Sequence, residues 1–349
     1  MRNTIKVILI VIIDTALFAA MILSFAWFHH AKPKHFDPVV ITAVTPRATF
    51  EPTPTPVPTP VPTELPSGVT PGPTPKPTLT PEPTPEPTGL LGARYWEKFT
   101  DGEEIYTDEC YRSANVCVEV RHYETASCGL PIRYHVADIY IRDITSFLCY
   151  VPDPEAGDEF TLGMSRKCGA IVGATGDYFL FRQSGLIIRN GAVYREKYYT
   201  SQDYCIIYQD GVMETYPKGR IDLDTVYSRN PWHSFSFGPR LLENGQPMTE
   251  FNTSVSERNP RMAIGYYEPG HYCFVVVDGR QKDYSYGMEM WELSQLMYDL
   301  GCSEAFNLDG GSTSVMTYHG EFYSNPPYGL GGRPNADLLY IVEPAGYGQ

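Results

Sequence analysis

Basic side chains are in short supply in this sequence. Lys and Arg number 27 against 41 Asp and Glu, a formal net charge of -14 at pH 7. Residues 1–88 are balanced, with six groups of each sign, so the whole deficit falls on residues 89–349, where 21 basic groups face 35 acidic ones. Neutralising the phosphates of a nucleic acid takes clustered Lys and Arg. A domain this anionic excludes nucleic acid as a partner. None of the eight cysteines forms a Cys-x-x-Cys pair, which argues against structural zinc or a redox dithiol. The characteristic twelve-residue calcium loop is missing as well. No cofactor is therefore expected, although several aspartates gathered together would suit a calcium ion.

Charge and proline divide the chain into unlike pieces. Ile5–Phe28 is nearly all apolar, with Arg2 and Lys6 at its start and His29, His30, Lys32 and Lys34 beyond it. A helix of that length reaches roughly 36 Å, enough to cross a bilayer core. Its length exceeds a signal-peptide core and no small-x-small cleavage site is clear, so an uncleaved anchor is expected. The short segment 1–4 would then stay inside, and everything after residue 28 would be extracytoplasmic at the cell membrane. Of 31 prolines, 18 fall between Pro33 and Pro87. Repeated Thr-Pro and Glu-Pro cannot bury a core and favour extended polyproline II. Residues 29–89 therefore read as a disordered stalk, and 90–349 as the folded domain.

From Leu90 onward, turn residues recur about every ten positions between β-branched and aromatic runs. Strands are expected at Val116–Tyr123, Ile132–Arg142, Tyr204–Tyr208, Met262–Tyr267, Tyr272–Asp278 and Leu338–Val342. The clearest helix is Glu289–Leu300, where Leu293, Leu296, Met297 and Leu300 recur at helical spacing and Gly301 stops it. The fold class expected is α+β, a mixed β-sheet domain with few helices. All the cysteines lie in this domain. An even count in an oxidising compartment permits disulfides, with Cys110, Cys117 and Cys128 the first candidates for a local pair, while Cys273 and Cys302 read equally as small buried hydrophobes.

Three segments join glycine and acid near strand ends: Gly173–Phe179, Val275–Arg280 and Asn307–Ser314. In the last two an apolar strand delivers a carboxylate, Asp278 or Asp309, and glycines then let the backbone turn and approach a ligand. Successive N–H groups and hydroxyls in Gly310, Gly311, Ser312 and Thr313 suit an anionic oxygen. Taken singly, Asp-Gly after a strand is usually a turn.

The order of these motifs carries more. GDYF at 176–179, IIRNG at 187–191, SFGPRLLENG at 236–245, NPRMAIGYY at 259–267, VVVDGR at 275–280, LGC closing the helix, NLDGGSTS at 307–314 and Arg333 to Asp337 follow one another. In this the chain resembles the phosphodiester glycosidase family over roughly residues 110–345. Thr175 stands where that family often has Asn, and Ser312 where it often has a further glycine. The resemblance implies a cleft holding Arg261, Asp278, Asp309 and the 310–314 loop, with Asp177, Arg280 and Arg333 nearby.

The activity implied is hydrolysis of a glycosyl phosphodiester, N-acetylglucosaminyl being one instance, in a cell-surface polymer or glycoconjugate. Expelling a phosphomonoester needs little general-acid help and much charge stabilisation. Arg261 would grip the phosphate as a fork. One of Asp278 or Asp309 would serve as nucleophile or base and the other would orient the sugar or Arg261, their separation distinguishing retention from inversion. The rival readings are a non-catalytic polysaccharide-binding or assembly protein, and a metal-dependent phosphodiesterase. His135 and His319 are the histidines to follow, each with a structural role as its simpler reading.

Overall fold

The computed structural model describes residues 89–153, 159–182, 185–251, 253–327 and 333–345. The expected anchor and all of the expected stalk except residue 89 lie outside these. Among the described residues no helix is long and apolar enough to cross a membrane.

The sheet-dominated domain with few helices is present. Its largest sheet has seven strands in the order Ile105–Tyr106, Cys110–Arg112, Val116–Ser127, Leu130–Ile141, His271–Val277, Arg261–Glu268 and Glu304–Asn307. A second sheet runs Met213–Tyr216, Tyr204–Tyr208, Pro231–Phe235, Gly185–Arg189, Ala192–Lys197, and a third Glu321–Phe322, Met316–Tyr318, Val172–Thr175, Leu338–Ile341, Phe147–Tyr150. Every ladder between these strands is antiparallel rather than mixed. For the neighbouring strands the reason is local: tight turns connect pairs that a parallel arrangement would have to join through crossover helices. Asn190-Gly191 is such a turn, and Asn244-Gly245 makes another between the short paired strands Leu242–Glu243 and Gln246–Pro247, with positive φ at each residue of both.

Apolar side chains from all three sheets meet in one core, among them Ile139, Phe274, Ile207, Phe235, Met316 and Leu339. The central strand His271–Val277 is buried along its entire length, which explains its unbroken apolar run where a half-exposed strand would alternate. The opposite face of the large sheet, with Ala263, Val275 and Val277, is covered by the helix Met290–Asp299 through Met290, Leu293 and Met297. That helix opens on a capping box between Glu289 and Glu292, which satisfies two otherwise orphaned N–H groups. All eight cysteines are free thiols, five of them buried; the Cys273 and Cys302 sulfurs lie 3.7 Å apart in the core.

Candidate active site

Strand register decides which expected residues meet. Arg261 pairs with Val277 and Ala263 with Asn307, while Val276 pairs with His135. Directly paired residues share a face and alternate residues return to it. Arg261, Asn307 and Asp309 therefore belong to one face of the large sheet, and Asp278 to the other.

On the first face a cleft of about 530 Å³ opens beyond the ends of these strands. Asp309 lies at its wall with four arginines, Arg182, Arg261, Arg280 and Arg333, together with Asn259, Asn307, Gly310 and Gly311. Tyr178, Phe181 and Phe237 supply an aromatic side. Asp309 is 3% exposed. Burial pushes its carboxyl up to about 6, and the Arg333 guanidinium pulls the other way. One Arg333 nitrogen donates to both Asp309 oxygens, at 2.9 and 3.2 Å.

Arg261 is held by carbonyls: Nε donates to Met288 O at 2.9 Å, and a terminal nitrogen to Ser256 O and Glu257 O. Among the described residues no carboxylate lies within 4.0 Å of it. Burial, followed by repulsion from Arg280, lowers it to about 10. It stays a cation at neutral pH, fixed by carbonyl groups, with Glu289 and Glu292 supporting its charge from beyond contact distance. Arg280, in a left-handed backbone conformation, is steered by two bonds to Asn259 Oδ1, at 3.2 and 2.8 Å.

Gly310 makes the close approach possible, because a Cβ there would stand 2.8 Å from Pro260 O. The expected backbone cradle is mostly spent on the loop itself. The Gly311 N–H bonds to Pro260 O, that of Thr313 to Gly310 O and that of Ser314 to Gly311 O. The Thr313 hydroxyl also turns inward, to Gly310 O at 2.7 Å. Neither Ser312 nor Thr313 is on the cleft wall. Thr175 has a clear part: its hydroxyl donates to Thr313 O and accepts from the Val315 N–H, pinning the loop from beneath.

Asp278 is fully buried away from this cleft. His135 Nε2 lies 2.8 Å from one of its oxygens, the Tyr284 hydroxyl donates to the same oxygen at 3.0 Å, and the Asn325 N–H donates to the other. The structure thus moves Asp278 from the expected pair of cleft carboxylates to a structural node, because alternation along its strand turns it from Arg261. Asp177 is likewise off the wall. Its carboxylate accepts from the Tyr178 and Ser236 N–H groups, both at 2.7 Å, while its own N–H donates to Asp337 at 2.6 Å. Asp337 bonds in turn to the fully buried Arg189 at 2.6 Å. Gly176 is required beside this pair, since a Cβ there would collide with the Asp337 carboxylate. Asp177 therefore ties together the segments bearing Tyr178 and Phe237. Of the two histidines, His135 bonds to Asp278, and His319 lies among Tyr106, Tyr111 and Tyr318.

Sequence reasoning passed over Arg182, Asn307 and the aromatic wall. Asn307 donates to Gly238 O at 2.7 Å, while its buried Oδ1 has no protein partner. Arg182 lies over Phe237, 4.9 Å from the ring centre, and donates to Ser236 O. Tyr178, Phe237 and Asn307 belong to the GDYF, SFGPR and NLDGG motifs, and Phe181 and Arg182 follow GDYF within three residues. Four arginines and one carboxylate line the cleft. The described grouping of potential metal ligands, Cys110, Cys117 and Glu119, includes none of these residues.

Fold and site together define an antiparallel-sheet domain with an arginine-lined cleft around a single perturbed carboxyl. The family model for phosphodiester glycosidase matches residues 168–342, and the chain belongs to that family. It is 32% identical over 166 residues to the SPbeta prophage-derived uncharacterized protein YomE of Bacillus subtilis (strain 168), a match covering 46% of this chain and 26% of that protein. It is 29% identical over 84 residues to N-acetylglucosamine-1-phosphodiester alpha-N-acetylglucosaminidase of Bos taurus, covering 24% of this chain and 16% of the other. The matches thus span about a quarter or less of those curated relatives. The zebrafish N-acetylglucosamine-1-phosphodiester alpha-N-acetylglucosaminidase catalytic domain, solved auto-inhibited by its pro-peptide, shares the fold. The TM-score is 0.54 at 21% identity, over 65% of this chain and 83% of that one.

Proposed function

We propose that the protein hydrolyses a glycosyl phosphodiester, releasing the sugar and a phosphomonoester. The observation that carries this reading is the placement of Asp309, a buried carboxyl raised to about 6, in a cleft otherwise lined by arginines. At neutral pH Asp309 is mostly ionised, and so able to attack the anomeric carbon or to take a proton from water that does. Arg261, pre-set by carbonyl groups, binds the phosphate and stabilises the charge that grows as the C1–O bond breaks. A phosphomonoester leaves without a second carboxyl to protonate it, which fits a cleft wall with one acid. Tyr178, Phe181 and Phe237 offer the apolar faces on which a sugar ring packs. N-acetylglucosamine is the sugar proposed first, by analogy with the bovine relative, with a cell-surface polymer or glycoconjugate as its bearer. Residues 5–28 would hold the domain outside the membrane.

The test is turnover of N-acetylglucosamine α-phosphodiesters in oxygen-18 water. Label in the released sugar, with loss of turnover in Asp309→Asn, is expected. Label in the phosphate would assign P–O cleavage and overturn the mechanism. No turnover across a panel of sugar-1-phosphodiesters, with saturable glycan binding, would make the protein a binding module.

A further inference from the structure

One phosphodiester carries one negative charge, and the cleft holds more cation than that charge needs. Arg333 is matched by Asp309. Arg261, Arg182 and Arg280 also line the cleft, and none of the three has a carboxylate within 4.0 Å among the described residues. Their positions are built. Arg182 is seated beside Phe237 with a bond to Ser236 O at 3.3 Å, and Arg280 is held twice by Asn259. Like-charge repulsion between Arg280 and Arg261 is felt at Arg261. Guanidiniums gathered in one concave site with no carboxylate in contact repel one another, and an anionic ligand relieves that repulsion. They occur here in a domain with 21 basic groups against 35 acidic.

We propose that the cleft selects a polyanionic substrate: a glycosyl phosphodiester whose aglycone bears at least one further phosphate, bound by Arg182 and Arg280 while Arg261 holds the scissile diester. A chain of repeating phosphodiesters meets this requirement, and a neutral aglycone does not. The proposal rests on the glycosyl phosphodiester reading for the identity of the first anion. The preference for a second anion stands on the arginines themselves.

The test is a pair of probes, N-acetylglucosamine 1-(methyl phosphate) and its counterpart with a 2-phosphoethyl group in place of methyl. Calorimetric binding is measured on Asp309→Asn, in which turnover is blocked. The phosphoethyl probe should bind at least about tenfold more tightly, as a charge-assisted guanidinium–phosphate contact requires. That ratio should shrink as salt rises from 50 to 300 mM. Added Arg182→Gln or Arg280→Gln should cut it to about threefold or less. Arg182→Lys, which keeps the charge and loses the fork, should fall between. Equal affinities for the two probes would overturn the proposal, as would a ratio indifferent to salt and to both arginine substitutions. Should a substituted protein fail to fold, the salt dependence of the ratio decides. A wild-type protein that cleaves neither probe while the tenfold ratio stands would sink the hydrolase reading and leave polyanion recognition intact.

Discussion

Replacing Asp309 by Asn should make the protein more stable while removing its activity. Burial raises this carboxyl from 3.8 to about 6. At 1.36 kcal/mol per unit, holding it ionised at neutral pH costs the native state ~3 kcal/mol, a figure already net of the attraction to Arg333. An amide of the same shape removes that cost but turns N–H donors toward the Arg333 guanidinium, so a gain of about 1–3 kcal/mol is expected. The pH dependence gives the sharper reading. The folded value lies above the unfolded one, so the wild type pays the penalty fully above pH 6 and loses it below about pH 4, where both states are protonated. The advantage of Asp309→Asn should be present at pH 7.5 and absent at pH 4. Asp337, also raised to about 6 by burial, is common to both proteins and cancels in the difference. Denaturant unfolding of both at the two pH values, followed by tryptophan fluorescence, measures it. A variant less stable at pH 7.5, or one with the same difference at both pH values, would refute the claim that an electrostatic cost is stored at this carboxyl.

Turnover should fall on the acid side with an apparent pKa about 6, tenfold per unit below it, since the ionised form of Asp309 does the work; a flat kcat/KM between pH 5 and 7 would remove Asp309 from that role. Arg261→Gln should lower kcat/KM by about 10²–10³, with Arg261→Lys recovering only part because a point charge replaces the fork; a change below threefold would dissociate Arg261 from the phosphate. Asp278→Asn should cost about 1–3 kcal/mol of stability through the weakened bonds to His135, Tyr284 and Asn325 and leave kcat/KM within about tenfold; a folded variant down a thousandfold would return Asp278 to the chemistry. Gly310→Ala should reduce kcat by about 10², because the added Cβ, 2.8 Å from Pro260 O, displaces the loop that carries the reacting group; wild-type turnover would show that the loop has slack.

Much of this molecule is local in origin, and that part was open to reading. Tyr204–Tyr208 forms the strand its side chains announce, Glu289–Leu300 holds the helix Met290–Asp299, and the Asn-Gly pairs make the hairpin turns. Each depends on periodicity or turn chemistry within a few residues. That Arg261, Arg280, Asp309, Gly310, Gly311 and Arg333 are candidates at all was implied by the family resemblance that the motif order carries. What only the tertiary structure decided is where each acid faces. Asp278 and Asp309 each stand just beyond a strand end and just before a glycine, yet a one-position difference in pairing sets them on opposite faces of the sheet. Only register, a relation between distant strands, separates the carboxyl that can meet a substrate from the one that braces a histidine. The scarcity of basic groups takes its meaning in the same way: composition determined that cations are few, and folding decided that four of them share one cleft.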